Sequence, residues 1–215
     1  MKPSKLIPDR HAPDDSCRTL LIATTNAGKF REFAELLGDL SIAVKSLAQF
    51  ANVPEIAEEG TTYMANALHK ALAVARWSGC SALADDSGLE VDALQGAPGV
   101  HSARYAGPAQ DSAANIAKLL AALQGVPFAQ RTARFRCVIA VARPDGATLT
   151  AEGTCAGYII EAVRGGAGFG YDPVFLYPPL NQTFAEIPAA VKNRLSHRAR
   201  ACECLRPQLL AFVQP

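Results

Sequence analysis

The chain has 215 residues, of which 49% are hydrophobic and 19% are charged, and its formal net charge is +1. This length and composition suit one globular domain with a sizeable core and argue against a disordered chain. The charges are balanced and form no block of one sign, so we expect neither a nucleic-acid partner nor a membrane partner. Residues 1–18 are polar and contain no apolar run, so we interpret them as a loose N-terminal extension and residues 19–215 as a single domain.

The six cysteines form no Cys-x-x-Cys pair, which argues against a zinc ribbon and a thioredoxin motif. We find neither a signal peptide nor an apolar stretch long enough to cross a membrane. We therefore expect reduced thiols and a cytoplasmic location.

A strand, a polar turn and a helix open the domain. Residues 19–24 predict a short buried strand, and residues 30–40 predict a helix with one apolar face. The turn between them ends at Lys29 and offers backbone N–H groups and a helix dipole to a phosphate. It is not a Walker A loop, because Ala23 stands where the first Gly is required. An ordinary strand-to-helix turn with a surface lysine explains the pattern equally well.

An acidic turn around Glu58 precedes a helix predicted over residues 63–77, with a threonine as its cap. Asn66 and Lys70 lie four residues apart in this helix, on a side away from much of the apolar stripe. Such a pair is usually solvent-exposed, but it would also suit the wall of a cleft.

The central feature of the chain is Asp85-Asp86-Ser87-Gly88. Residues 81–84 predict a short strand that Ser87 and Gly88 would end. Carboxylates at the end of a buried strand cost free energy unless they are paired or hold a cation. We therefore expect the pair to be aimed into a cleft, where one carboxylate holds Mg²⁺ and activates water. A solvated turn is the plainer alternative.

The second half of the domain begins with a helix predicted over residues 111–124. Two strands, at residues 131–142 and 148–158, are separated by a Pro-Asp-Gly turn and predict an antiparallel hairpin. Together with the alternating strands and helices before it, this pattern predicts an α/β fold.

Four glycines lie within residues 165–170 and allow close approach of the backbone to a flat or anionic ligand. Phe169 and Tyr171, which lie in and next to this segment, are suited to stacking on a base.

The last helix is predicted to begin at Ser196, as its N-cap. His197 and Arg198 would then oppose the helix dipole unless an anion lies nearby, which is a mild indication of a site. Pro207 is predicted to kink or end this helix.

Taken together, these segments resemble the inosine/xanthosine triphosphate pyrophosphatase family over nearly the whole chain from residue 19. Each motif alone is weak, but their order is specific. The matching segments are Thr24-Thr25-Asn26-Ala27-Gly28-Lys29, Glu58 with Gly60, Asn66-Ala67, Lys70, Ala84-Asp85-Asp86-Ser87-Gly88-Leu89, Ala97-Pro98-Gly99, Ser102-Ala103-Arg104-Tyr105, Phe169-Gly170-Tyr171-Asp172-Pro173 and Ser196-His197-Arg198.

The resemblance implies a long twisted mixed β-sheet flanked by helices, with two lobes, a central active-site cleft and a homodimeric state. It implies an enzyme that cuts ITP, dITP and XTP between the α and β phosphates, with Mg²⁺ as cofactor. The products would be the nucleoside monophosphate and pyrophosphate, so that deaminated purines are removed from the nucleotide pool.

The same resemblance assigns roles to individual residues. Glu58 and Asp86 would bind Mg²⁺, Asp86 would also accept the proton of the attacking water, and Asp85 would help to hold the charges nearby in place. Lys70 would neutralise charge that develops on the phosphates. The residues that would bind substrate are Thr24, Thr25, Asn26, Ala27, Gly28, Lys29, Ser87, Phe169, Gly170, Tyr171, Asp172, Lys192, His197 and Arg198.

The implied purine pocket has a physical basis for selectivity. Hydrogen-bond donors from Lys192, His197 or Arg198 would satisfy the 6-oxo group of hypoxanthine or xanthine. The 6-amino group of adenine is itself a donor and could not accept from them. One departure is Ala65, which stands where bacterial members typically have Glu.

Two alternatives remain at this point: a Maf-like nucleotide pyrophosphatase with a different base preference, and a nucleotide-binding module that has lost catalysis. The Phe169 and Ser196 segments argue against the first, and Asp85, Asp86 and Lys29 argue against the second. A nucleic-acid binder would usually carry a more basic chain.

Overall fold

In a computed structural model, the described residues are 19–56 and 60–213, and they form seven strands and five α-helices. The strands are β1 (Thr19–Ile22), β2 (Ala43–Ser46), β3 (Ser81–Val91), β4 (Thr132–Ala142), β5 (Thr148–Ile159), β6 (Phe175–Tyr177) and β7 (Gln182–Thr183). The helices are α1 (Ala27–Leu37), α2 (Tyr63–Ser78), α3 (Ser112–Ala122), α4 (Ala189–Leu195) and α5 (His197–Val213). The predicted extension at residues 1–18 lies outside the described residues, and the two-lobe division stays a prediction.

The strands form one sheet in the order β2-β1-β3-β4-β5-β6-β7. β1 is parallel to β2 and β3, whereas each pairing from β3 to β7 is antiparallel. The predicted mixed α/β sheet is therefore confirmed.

β3 is paired along its full length on one side only. It pairs with β4 from Ala82 to Val91, but with β1 only from Ser81 to Leu83. From Ala84 to Gly88, no strand in the described part of the chain pairs with β3 on the β1 side, and the fold leaves room at this open edge for a cleft. Farther along, Glu90 forms an antiparallel bridge with Pro98.

The hydrophobic core lies on both faces of the sheet, because successive side chains of a strand point to opposite sides. On β4, Cys137, Ile139 and Val141 pack with α1 and α5, whereas Val138 and Ala140 pack with α2. A third cluster joins the far ends of β3 and β4 to α3 and β6. The continuous apolar run of β4 is therefore explained by burial on both faces.

The caps of α2, α3 and α5 agree with the predicted signals, whereas the cap of α1 was not predicted. Asn26 accepts a hydrogen bond from the backbone of Lys29, so α1 begins at Ala27, three residues earlier than predicted. Thr62 caps α2, Asp111 caps α3 and Ser196 accepts a bond from the first turn of α5.

The predicted end of a strand at Ser87 and Gly88 is wrong, because β3 continues to Val91. Both residues belong to the ladder with β4. Gly88 instead permits close packing, since a Cβ atom there would overlap the carbonyl oxygen of Gly99 and lie 2.7 Å from Ser102 Oγ.

Pro207 does not end the last helix, because α5 runs through it to Val213, and the alternative of a kink stays a prediction. Proline removes one backbone hydrogen bond from a helix interior. Leu205 and Leu209, on either side of it, are buried against the sheet, and this packing holds the helix together.

Across residues 19–56 and 60–213, no helix combines the length and hydropathy needed to span a membrane. The five cysteines in this part of the chain are free thiols, as predicted.

Candidate active site

A cleft of about 650 Å³ lies beside the open edge of β3. It brings together most of the residues that the sequence predicted for the site. The predicted residues in its lining are Thr24, Thr25, Asn26, Lys29, Lys70, Asp86, Ser87, Phe169, Gly170, Tyr171, Asp172, Lys192, His197 and Arg198. Ala27 lines an adjoining cavity of about 340 Å³. Gly28 lies against the ring of Phe169, and Glu58 lies outside the described residues.

Side chains satisfy the backbone groups that β3 exposes at its open edge. Lys70 Nζ donates to the Asp85 carbonyl at 2.6 Å, and the N–H of Leu89 donates to Ser102 Oγ at 2.8 Å. Buried backbone groups without partners are costly, so these bonds stabilise an edge that a strand would otherwise cover. Lys70 is thereby fixed next to the central carboxylates.

Asp85 and Asp86 do not point together into the cleft, which corrects the expected pair. Asp85 faces α1 and α5, where its carboxylate contacts Lys29 Nζ at 2.9 and 3.0 Å, Ser87 Oγ at 2.9 Å and Arg198 Nη2 at 3.4 Å. Burial alone would raise the pKa of Asp85, but the charges of Lys29, Arg198 and Lys70 outweigh it and hold this pKa well below its usual range. Asp85 is therefore a buried counter-ion.

Asp86 lies on the α2 face of the sheet and lines the cleft. Its Oδ1 accepts the N–H of Ser87 at 3.0 Å, and its Oδ2 accepts Asn66 Nδ2 at 2.8 Å. These two bonds fix the orientation of the carboxylate, which lines the cleft. Of the two aspartates, Asp86 is the one placed to meet a ligand.

The positive charges of Lys192 and Arg198 are neutralised by carboxylates of the protein itself. Lys192 Nζ contacts Asp172 Oδ2 at 2.6 Å and Glu32 Oε1 at 3.1 Å, and Arg198 also pairs with Glu32. Burial raises the pKa of Asp172, and the charge of Lys192 opposes that effect. The anion expected near the first turn of α5 is therefore supplied by Glu32 and Asp85.

Phe169 lines the cleft next to Lys192 and Arg198. Its ring packs on the first turn of α1, where a Cβ atom at Gly28 would lie 3.0 Å from it. Lys192 Nζ lies 4.9 Å from its ring centroid, and the Arg198 guanidinium lies 5.7 Å from it. Phe169 is thus the half-buried aromatic residue of the glycine-rich segment 165–170 that lines the cleft.

The stacking role expected for Tyr171 is wrong, because its ring is buried in the core. Only 4% of the residue is exposed, and its hydroxyl donates to the Ser102 carbonyl at 2.9 Å. Tyr171 therefore anchors the wall of the cleft and is not free to stack on a base.

His197 is buried and stacks on Phe135, with ring centroids 4.8 Å apart. Burial and the charges of Arg198 and Lys192 lower the pKa of His197 well below its usual value. The imidazole is therefore neutral and has one donor and one acceptor nitrogen. Its Nδ1 is buried without a hydrogen-bond partner.

Sequence reasoning missed Glu32, which organises the site. Glu32 lies one helical turn after Lys29, and that spacing was the only local sign of it. Asn66 was interpreted, with Lys70, as solvent-exposed or as part of a cleft wall, but it is buried behind Asp86 and is absent from the cleft lining. A third feature, the wall formed by the 3₁₀ segment Gly99–Arg104, is held by Asn115, which donates to the Ala103 carbonyl and accepts the N–H of Ala106.

Among the described residues, there is no group of three His, Cys, Asp or Glu side chains that would hold a metal by themselves. Mg²⁺ is commonly bound by one or two carboxylates together with phosphates and water. The carboxylate of Asp86, oriented by two hydrogen bonds and open to the cleft, fits that mode of binding.

The fold and site define an α/β protein whose cleft joins a helix N-terminus, lysines and an oriented carboxylate, as an anion-binding enzyme requires. The chain belongs to the Ham1 family, whose profile matches residues 20–208. It is 55% identical over 182 residues to the dITP/XTP pyrophosphatase of Desulforamulus reducens, covering 85% of this chain and 90% of that protein. It is 54% identical over 191 residues to the one of Geobacillus kaustophilus, covering 89% and 94%. A solved HAM1 protein structure from Coxiella burnetii superimposes with a TM-score of 0.80 at 42% identity, covering 91% and 98% of the two chains.

Proposed function

We propose that this protein hydrolyses the deaminated purine nucleoside triphosphates ITP, dITP and XTP to the monophosphate and pyrophosphate. The observation that carries the proposal is the oriented carboxylate of Asp86 at the open edge of β3, beside Lys70 and across from the first turn of α1. The naming of the relatives as dITP/XTP pyrophosphatases supports the same substrate class.

The triphosphate would lie along the β1–α1 turn. The first N–H groups of an α-helix have no partners within the helix, so those of Ala27 and Gly28 suit phosphate oxygens. Lys29 adds a positive charge at this turn, and its ammonium group also forms an ion pair with Asp85. Thr24, Thr25 and Asn26 line the same end of the cleft.

We propose Mg²⁺ as the cofactor, held by Asp86 and Glu58 together with the phosphates. When bound, the ion would lower the pKa of water and neutralise phosphate charge. Asp86 would accept the proton of the attacking water. Lys70, whose position is fixed by its bond to the Asp85 carbonyl, would stabilise the charge that develops as the α–β bond breaks.

The purine would lie at the other end of the cleft, against Phe169. Lys192 and Arg198 are donors only, and the neutral His197 offers one N–H. An acceptor such as the 6-oxo group of hypoxanthine or xanthine suits such a set, whereas the 6-amino group of adenine would place a donor against these donors. A polar group of the substrate that finds no partner in a buried site lowers affinity strongly.

We also propose a cytoplasmic homodimer, as the family resemblance implies. Light scattering on the purified protein tests the dimer, which requires a mass twice that of the monomer. A monomeric mass at micromolar concentration would exclude it.

The decisive experiment measures pyrophosphate release from ITP, XTP, dITP, ATP and GTP, with Mg²⁺ and with a chelator. We expect metal-dependent release from the first three and little from ATP and GTP. Equal release from all five would exclude the proposed purine selectivity. Absence of release from every substrate would favour a nucleotide-binding module without catalysis.

A further inference from the structure

Asn66 is a buried amide in the first part of α2 that contacts two other parts of the chain. Only 2% of the residue is exposed. Its Nδ2 donates to Asp86 Oδ2 at 2.8 Å, and its Oδ1 accepts the N–H of Gly60 at 2.8 Å. Because a backbone N–H can only donate, this contact fixes the amide orientation with Nδ2 towards Asp86.

The amide orients Asp86 without neutralising it. Asn66 holds one oxygen of the carboxylate and the N–H of Ser87 holds the other. Lysine or arginine at this position would bring a positive charge that competes with a divalent cation. As a neutral donor, Asn66 orients the carboxylate and adds no positive charge beside it. Orienting a metal-binding carboxylate is the usual task of the residues behind it.

The second contact of Asn66 fixes the chain next to the acidic turn. Nδ2 lies 3.3 Å from the Gly60 carbonyl, so the amide meets both backbone groups of Gly60. A Cβ atom at Gly60 would overlap Asn66 Oδ1, so glycine allows this approach. Gly60 follows Glu58 by two residues, and Glu58 is the second carboxylate proposed for the cation.

We propose that Asn66 is a positioning residue for the metal site, an inference that rests on the proposed function. One amide binds the proton acceptor Asp86 and both backbone groups of Gly60. It thereby ties the Asp86 carboxylate of β3 to the chain that enters α2 and holds this carboxylate in one orientation for the cation.

The test is direct binding of Mn²⁺, used as the probe, to the full chain by calorimetry, with Asn66→Ala compared with wild type. We expect metal affinity to fall about 10–100-fold, as for other residues that support metal ligands. Affinity for ITP in the presence of a chelator is expected to stay within about twofold, since Asn66 is absent from the cleft lining. The concentration of Mg²⁺ for half-maximal turnover should rise in parallel.

Two further variants make the test specific. Gly60→Ala disturbs the same link from its other end, so it should reproduce the metal defect, and it replaces Asn66→Ala if that variant does not fold. Asn193→Ala is the matched control, because its amide also donates to a carboxylate, that of Glu35, but at the surface. It should bind Mn²⁺ as wild type does.

Wild-type metal affinity in folded Asn66→Ala would overturn the inference. So would an equal loss of metal affinity and metal-free ITP affinity, which indicates general damage to the cleft. Failure of the wild-type protein to release pyrophosphate counts instead against the proposed function.

Discussion

Asp85 and Asp86 are neighbours in β3, yet their carboxylates lie on opposite faces of the sheet. Asp85 contacts Lys29 and Arg198 on the α1 and α5 side, whereas Asp86 contacts Asn66 of α2. The alternation of side chains along a strand requires this separation. Two identical side chains therefore differ in function: one is a buried counter-ion, and the other is the proposed proton acceptor.

Asp86→Asn is expected to lower turnover of ITP by about 10²–10⁴-fold, the usual contribution of a positioned proton acceptor. Folding and nucleotide binding should survive, because asparagine keeps the size of the side chain. Initial rates and calorimetric binding of ITP measure the two effects. Asp145→Asn, on an exposed turn, serves as the control, and near-normal turnover in Asp86→Asn would remove Asp86 from the catalytic role.

Asp85→Asn is expected to act mainly on stability. Loss of its charge leaves Lys29 and the buried Arg198 short of a counter-ion, and breaking a buried pair in this way costs about 3–5 kcal/mol. The pKa of Asp85 is lower in the folded state than in the unfolded state, so its stabilisation is present above the unfolded value of about 3.9 and is lost as pH falls below it.

Urea denaturation of wild type and Asp85→Asn at several pH values measures this effect. The difference in unfolding free energy should be full at pH 7 and should shrink below about pH 4. A difference that is constant down to pH 2 would contradict the assigned role of the ionised carboxylate.

Gly88→Ala is expected to destabilise the protein by about 1–3 kcal/mol, as overpacking commonly does. The added methyl group would overlap the backbone oxygen of Gly99, which cannot rotate away as a side-chain end can. Gly166→Ala is the matched control, because a Cβ atom there meets nothing within 4 Å. Thermal unfolding of the two variants compares them directly, and equal midpoints would refute the packing explanation.

Phe169→Leu is expected to weaken ITP binding by about 1–3 kcal/mol, the usual value of stacking one base on an aromatic ring. Tyr171→Phe should instead cost stability, about 1 kcal/mol, because the Ser102 carbonyl loses its hydroxyl partner. Its kcat/KM for ITP should stay close to the wild-type value. Michaelis constants and denaturation curves for both variants separate base stacking from stabilisation of the fold. Weaker ITP binding in Tyr171→Phe with unchanged binding in Phe169→Leu would instead make Tyr171 the stacking residue.

Much of the local structure was predictable from the sequence. The caps at Thr62 and Asp111 and the hairpin of β4 and β5 depend on residues close together in the chain. The site residues of the family motifs also meet in one cleft. Two single local signals did not end their elements: β3 continues past Gly88 and α5 continues past Pro207, because contacts with distant segments hold both elements together.

The sequence by itself determined the order of the elements and their apolar faces, because these follow from local spacing, and its resemblance to a known family supplied most of the side chains that line the cleft. Only the tertiary structure decided what each charged group faces. The pairing of Glu32 with Arg198 joins residues 166 positions apart, and the bond of Asn66 to Asp86 joins different elements. Such contacts form only when sheet and helices pack, since burial makes an unpaired charge or amide too costly to leave without its partner.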